Sequence, residues 1–138
     1  MDFSKYLNGL KYDKSNLTDK DFNQIESEVG FPLPSEYKKF LREIDGCEGL
    51  FNGKNYAILW KGKELGEYNA KYQVKEFLED MLLFGSDGGG EAFAFDKMNN
   101  MAIVRVPFVG MERELATYIT SSFDSFIIAL CERDIYES

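Results

Sequence analysis

Hydrophobic positions near the start of the chain recur at the spacing of an amphipathic helix. Three of them share one helical face: Phe22, Ile25 and Val29. Thr18 precedes this run as an N-cap, and Asp21 is placed to complete a capping box. Leu17 lies before the cap and would pack on Phe22 as a hydrophobic staple. Gly30 follows the last apolar position and is expected to end the helix.

A second helix is predicted directly after the rigid segment 31–34. Pro34 suits its first position, because the missing N–H would have no helical partner there. The apolar positions follow the i, i+3, i+4, i+7 rule: Tyr37, Phe40, Leu41 and Ile44. Gly46 is expected to end this helix, and residues 47–49 to begin a loop.

The middle of the chain changes to patterns typical of strands. Four strands are predicted, at Tyr56–Trp60, Met81–Phe84, Glu91–Asp96 and Met101–Val106. A short helix is predicted at 61–70, and residues 71–80 allow a further helical turn. The last two strands form a hairpin with a four-residue loop, which places Phe95 opposite Ala102 and Phe93 opposite Val104.

The end of the chain predicts a further strand or extended segment at 115–119 and then a helix. Ser121 or Ser122 caps this helix, whose buried face holds Phe123, Phe126, Ile127 and Leu130. Helices and strands are segregated along the sequence, so the predicted class is α+β. We expect one domain over 1–138, with a core at about 18–132 and a short N-terminal arm at 1–17.

Composition and charge exclude several kinds of function. The 138 residues include 16 Lys and Arg against 24 Asp and Glu, which gives a net charge of −8, and they include no histidine. Triads and zinc sites that need histidine are therefore excluded. The acidic balance argues against a direct contact with nucleic acid phosphates. The charge has two interpretations, a soluble surface or a surface that attracts a basic partner.

The ends and the cysteines predict a cytoplasmic protein. The first six residues lack the basic and apolar regions of a signal peptide, and no apolar run is long enough for a membrane span. Cys47 and Cys131 fit no CxxC pattern and are expected to be reduced thiols. Neither has a histidine to activate it, so catalysis by a cysteine is not expected.

The glycine triplet at 88–90 fits neither common phosphate-binding motif and is interpreted as a tight turn. Asp87, Glu91 and Asp96 have no metal-binding spacing, since Glu91 and Asp96 would point to opposite faces of a strand. We therefore expect no cofactor and no metal. No group of residues predicts catalysis, which makes a binding module the expected class and an enzyme the less favoured one.

Several motifs, taken in order, resemble the SUKH superfamily of Smi/Knr-type proteins. Phe31–Leu41 (FPLPSEYKKFL) is similar to the family's LP-x-x-(Y/L)-K-x-F-L opening. Asp45–Gly49 (DGCEG) is similar to its N-G-x-x-G step, with Asp in place of the usual Asn. Leu83–Glu91 (LFGSDGGGE) and Phe93–Asp96 (FAFD) resemble its F-(G/A)-x-(D/N)-G-G-G-(E/D) segment and the strand after it. Ser122–Ile127 (SFDSFI) resembles its closing helix.

The resemblance implies an α+β fold with a mixed, mainly antiparallel sheet, two N-terminal helices and a C-terminal helix packed around it. Bacterial members are mostly immunity proteins of polymorphic toxin systems, and they block a cognate toxin, often a nuclease. The expected partner is thus a basic toxin domain, with the protein itself a monomer or a homodimer. A cell-wall-type regulatory scaffold is the alternative. The family has no fixed toxin-binding residues, so the candidates are chosen from predicted loops and strand edges: Asp45, Glu48, Trp60, Glu64, Glu67, Asp87 and Glu91.

Overall fold

The structure, a computed structural model, describes residues 1–136 and contains seven strands and five α-helices. The strands are β1 (Lys11–Lys14), β2 (Ile44–Phe51), β3 (Asn55–Leu59), β4 (Met81–Ser86), β5 (Glu91–Asp96), β6 (Ala102–Pro107) and β7 (Thr117–Thr120). The helices are α1 (Asp19–Val29), α2 (Ser35–Glu43), α3 (Leu65–Lys71), α4 (Val74–Phe77) and α5 (Phe123–Glu132).

The seven strands form one sheet in which each strand pairs with its neighbours along the chain, always antiparallel. The helices are inserted into this meander. Helices α1 and α2 lie between β1 and β2, α3 and α4 lie between β3 and β4, and α5 follows β7. The α+β class predicted from the sequence is confirmed.

One face of the sheet is closed by α2 and α5, which pack on it through an aromatic core. This core is made of fully buried rings: Tyr37, Phe84, Phe95, Phe123 and Phe126. Phe84 stacks on Phe95 with ring centroids 4.4 Å apart, and Tyr37 lies 5.0 Å from Phe95 and 5.2 Å from Phe123. Tilted and edge-on aromatic pairs of this kind add to the stabilisation from area burial alone.

The segment of α3 and α4 packs along β4, where this strand continues beyond the end of β3. Asn69 fixes this segment to the sheet, since its side chain donates to Leu83 O and accepts from Leu83 N, both at 2.9 Å. Leu83 itself is fully buried. Strands β1 to β3 extend beyond the helical cover, and their outer face is left open.

The predicted helix ends that depend on local contacts are confirmed. Thr18 and Asp21 form the capping box of α1, and Gly30 ends the helix in the left-handed region with φ +61°. Ser122 caps α5, with Ser125 as its partner in the capping box. Helix α2 begins at Ser35, with Pro34 at the N-cap and one position away from the prediction.

The predicted end of the second helix is wrong. Helix α2 ends at Glu43, and the segment expected to be a loop lies inside β2. Gly46 is a strand residue with φ +82°, and a Cβ there would lie 2.8 Å from Leu59 O. The glycine thus serves a close approach between β2 and the end of β3 rather than a helix end.

The predicted register of the hairpin is wrong by one residue. Phe95 pairs with Ile103, and Phe93 with Arg105. The loop has five residues because Asn100 and Met101 both take positive φ, at 53° and 61°, and Met101 N donates to Asp96 O. The alternation of apolar residues alone does not reveal this extra loop residue.

Residues 1–17, which the sequence predicts to be an arm, pack on the core and pair with the sheet. Phe3 is buried in the core, and β1 pairs with β2 through Lys11 and Tyr12. All four residues of β1 are exposed, so the segment carries no buried alternation from which a strand could be predicted.

Candidate functional site: an open groove on the sheet

The open face of the sheet carries a groove of about 1060 Å³, which we call the sheet groove. Its floor is formed by β1, β2 and β3. Its walls come from α3, from the glycine loop after β4 and from the loop 108–109 after β6. The groove lies on the face opposite α2 and α5, so the aromatic core does not fill it.

Aromatic rings form one side of the sheet groove. Trp60 stacks on Tyr68 with centroids 4.3 Å apart and planes 19° from parallel, and Tyr72 lies 4.6 Å from Phe108. Tyr68 and Tyr72 are four residues apart, which places them on one side of α3 and its last turn. The backbone N–H of Trp60 donates to Phe84 O at 3.1 Å and holds this residue at the end of β3, where it is only 7% exposed. Burial raises the pKa of Tyr68, and the carboxylates of Glu64 and Glu67 raise it further.

Four carboxylates and two ammonium groups line the sheet groove. These six residues are Asp13, Asp45, Glu48, Glu64, Lys11 and Lys61. The Lys61 ammonium lies 3.2 Å from Asp13, and this hydrogen bond raises the pKa of Lys61, with smaller contributions from Asp45 and Glu64. The carboxylates around Lys61 therefore favour its charged form.

Two of these carboxylates are held by backbone groups. Asp45 accepts from Gly62 N at 2.8 Å, and Glu64 accepts from Lys61 N at 2.9 Å. Both bonds fix the turn between β3 and α3, which carries Trp60 toward Tyr68. Because each carboxylate has a second oxygen, its charge remains available to a ligand in the groove.

Glu48 lies on the outer face of β2 and is exposed to solvent. It pairs with Ile58 across the strands, and Trp60 follows Ile58 by two residues, so all three point to the groove side of the sheet. Its carboxylate accepts a hydrogen bond from the Tyr56 hydroxyl, which raises the pKa of Tyr56. The Tyr56 ring in turn covers Gly88, where φ is +81° and a Cβ would lie 2.7 Å from the ring.

The sheet groove brings together four of the seven residues predicted as toxin-binding, namely Asp45, Glu48, Trp60 and Glu64. Glu67 lies exposed on α3 and does not line the groove. The Asp87 carboxylate accepts from Gly89 N at 2.7 Å and from Glu91 N at 3.2 Å, so it orders the glycine loop.

Glu91 lies on the opposite face of the sheet. Its carboxylate is 3.7 Å from Arg105 Nε, and Arg105 pairs with Phe93, whose ring packs on Phe126 of α5. The register therefore separates Glu91 from the groove residues, although it is close to Asp87 in sequence.

Sequence reasoning left three features of the groove undecided or unnoticed. The sequence does not decide whether Tyr68 and Tyr72 belong to the core or to an interface, and in the structure both are half-buried in the groove wall. Their i, i+4 spacing was the available signal. No sequence pattern indicates that Phe108 belongs to the groove, since it contacts Tyr72 from a loop that is distant in sequence. Asp13 was missed because β1 was not predicted.

In the part of the chain that the structure describes, no three Asp, Glu or Cys side chains converge as they would to hold a metal ion. Burial raises the pKa of the Cys47 thiol to about 12 and also raises that of Cys131. Across residues 1–136 no helix has the length and apolar character needed to span a bilayer.

The fold and the groove define an α+β protein with one open face on an antiparallel sheet. The model of the SMI1 / KNR4 family (SUKH-1) matches residues 16–129, which is most of the chain. The protein therefore belongs to this family, as its sequence motifs indicate. A comparison with curated proteins gave no match.

Proposed function

We propose that this protein is a bacterial immunity protein, which binds a cognate polymorphic toxin of nuclease type in the cytoplasm and neutralises it by stoichiometric occlusion. Membership of the SMI1 / KNR4 family over residues 16–129 is the observation that carries this proposal. SUKH proteins of bacteria are mostly immunity proteins, and they act by binding.

The charge of the protein supports a basic partner. The net charge is −8, and carboxylates outnumber ammonium groups in the sheet groove. A nuclease presents basic side chains where it holds nucleic acid phosphates. An acidic inhibitor is attracted to that surface and prevents substrate from reaching it.

The side chains also favour binding over catalysis. The chain has no histidine, and burial raises the pKa values of Cys47 and Cys131, which keeps both thiols protonated at neutral pH. The carboxylates Asp45 and Glu64 hold backbone N–H groups. Such groups suit a rigid binding surface.

Coexpression with the toxin domain encoded beside its gene tests the proposal. We expect host cells to survive when both proteins are made, and the purified proteins to elute together from a size-exclusion column with equal stoichiometry. A toxin inactivated at its own catalytic residue provides the matched control, because it should still bind. Continued killing together with separate elution would overturn the proposed function.

A further inference from the structure

The sheet groove has the size and openness of a site for a polypeptide segment. Its volume of about 1060 Å³ lies just above the range of about 300–1,000 Å³ found for small-molecule pockets. It is open on the sheet side that α2 and α5 do not cover. At its rim, Val109 is 90% exposed, which offers an apolar contact to a partner chain.

Its lining combines aromatic rings with carboxylates. Tyr68 and Tyr72 are half-buried and form the α3 wall, while Glu64 lies one helical turn before Tyr68. Glu48 extends from β2 on the floor of the same groove. Aromatic faces and carboxylates both attract arginine and lysine side chains, the first through the ring quadrupole and the second by charge-assisted hydrogen bonds.

The balance of charge selects the occupant. Lys61 is occupied by Asp13 at 3.2 Å, which leaves Glu48, Asp45 and Glu64 against the single ammonium of Lys11. A second copy of this chain, with its net charge of −8, would be repelled from such a groove. Nucleic acid would be repelled for the same reason. A basic polypeptide segment remains as the occupant that the charges favour.

We propose that the sheet groove binds a basic segment of the toxin and seats an arginine or lysine side chain of it against Tyr68, within reach of the Glu48 and Glu64 carboxylates. The identity of the partner rests on the proposed function, whereas the preference for a cationic side chain rests on the groove alone. Glu91, on the opposite face, takes no part in this contact.

Trp60 gives a direct readout, because it is the only tryptophan of the chain and lies in the groove wall, stacked on Tyr68. Hexa-arginine is the probe, and a peptide of six citrullines is its uncharged control. We expect hexa-arginine to change the fluorescence of Trp60 with a saturable curve at low salt, and added salt to weaken the binding. Citrulline peptide should leave the fluorescence unchanged.

Conservative variants locate the contact. The double variant Glu48→Gln with Glu64→Gln keeps both hydrogen-bond acceptors and removes both charges, and it should bind hexa-arginine about tenfold more weakly. The double variant Glu76→Gln with Glu132→Gln, at exposed positions of α4 and α5 outside the groove, also removes two charges; it is the matched control and should change binding by less than about twofold. An unchanged Trp60 signal with hexa-arginine, or equal weakening by both sets of variants, would overturn the proposal.

The toxin domain separates this proposal from the proposed function. When titrated calorimetrically, it should bind the variant Glu48→Gln with Glu64→Gln more weakly than the wild type and the matched control variant. If the toxin binds all three proteins equally well, the immunity function stands and the groove is not its docking site. If the toxin binds none of them while hexa-arginine binds as expected, the proposed function falls and the toxin is excluded as the occupant.

Discussion

The two faces of the sheet use aromatic residues in opposite ways. On the α2 and α5 face, rings such as Phe84, Phe95 and Phe123 are fully buried and contact one another. On the groove face, Tyr68 and Tyr72 are half-buried and lie beside carboxylates. Aromatic content alone therefore does not distinguish core from interface. What distinguishes them is the helical cover and the nearest charged groups.

The largest expected loss of stability comes from a substitution on the face that α2 and α5 cover. Phe84→Ala removes a ring that packs on Phe95, Phe123 and Phe126, and should lower the free energy of unfolding by about 3–5 kcal/mol. Tyr68→Ala, on the open face, should cost less, because its ring is half-exposed and its loss leaves no closed cavity. Urea unfolding of both variants measures the difference. Equal losses would contradict the contrast between the faces.

The next effect concerns the backbone that supports the groove. Gly46→Ala should lower the free energy of unfolding by about 2–3 kcal/mol, since it combines a positive φ with a Cβ 2.8 Å from Leu59 O. Gly53→Ala is the matched control, with φ +68° and nothing within 4 Å, and should cost only about 1 kcal/mol. Thermal unfolding of both variants tests this. A Gly46 variant as stable as the Gly53 variant would show that β2 adapts to the side chain.

The buried thiol of Cys47 should make stability depend on alkaline pH. Burial raises the pKa of Cys47 to about 12 in the folded protein. The contribution of the buried, protonated thiol to the free energy of unfolding is therefore fully present below the ordinary thiol pKa of about 8.5. It is lost as pH rises from there toward about 12, by at most about 1.4 kcal/mol per pH unit. Cys47→Ala should flatten this part of the urea-unfolding profile between pH 8 and 10. An unchanged slope would show that other groups cause the dependence.

The smallest expected change in stability comes from removing a single atom, the hydroxyl oxygen of Tyr37. Within the described part of the chain, the buried Tyr37 hydroxyl has no hydrogen-bond partner, and burial raises the pKa of Tyr37. Tyr37→Phe should leave the free energy of unfolding unchanged or raise it by about 1 kcal/mol, because it removes an unsatisfied polar group and keeps the ring. A loss of stability, measured by urea unfolding, would reveal a partner for the hydroxyl.

The sequence predicts those parts of the fold that local contacts determine. Helix α1 was predicted with both ends, because Thr18, Asp21 and Gly30 act within one turn of the helix. Strand β2 is not predicted, because Gly46 and Gly49 interrupt its apolar pattern. Glycine is favoured at these two positions because a Cβ would come close to Leu59 and Leu10, which are distant in sequence. The hairpin register depends on two left-handed residues, which side-chain alternation does not encode.

The candidate site was predicted only in part for a similar reason. Asp45, Glu48, Trp60 and Glu64 were selected near turns and strand ends, and the fold brings these four into one groove. Which face a residue points to depends on the pairing of strands, so Glu91 could not be separated from the others by sequence alone. Residues that meet from distant segments, such as Tyr72 and Phe108, leave no local pattern.

The order of the strands has a consequence for how the chain folds. Every strand pairs with the next one along the chain, so no connection between paired strands has to cross over the sheet. The short β2–β3, β4–β5 and β5–β6 loops keep those contacts short in sequence, whereas the helical insertions separate β1 from β2 and β3 from β4. Low contact order favours fast folding. The β2–β3 hairpin and the β4–β6 unit are therefore expected to form first and to give the two helical insertions a surface on which to dock.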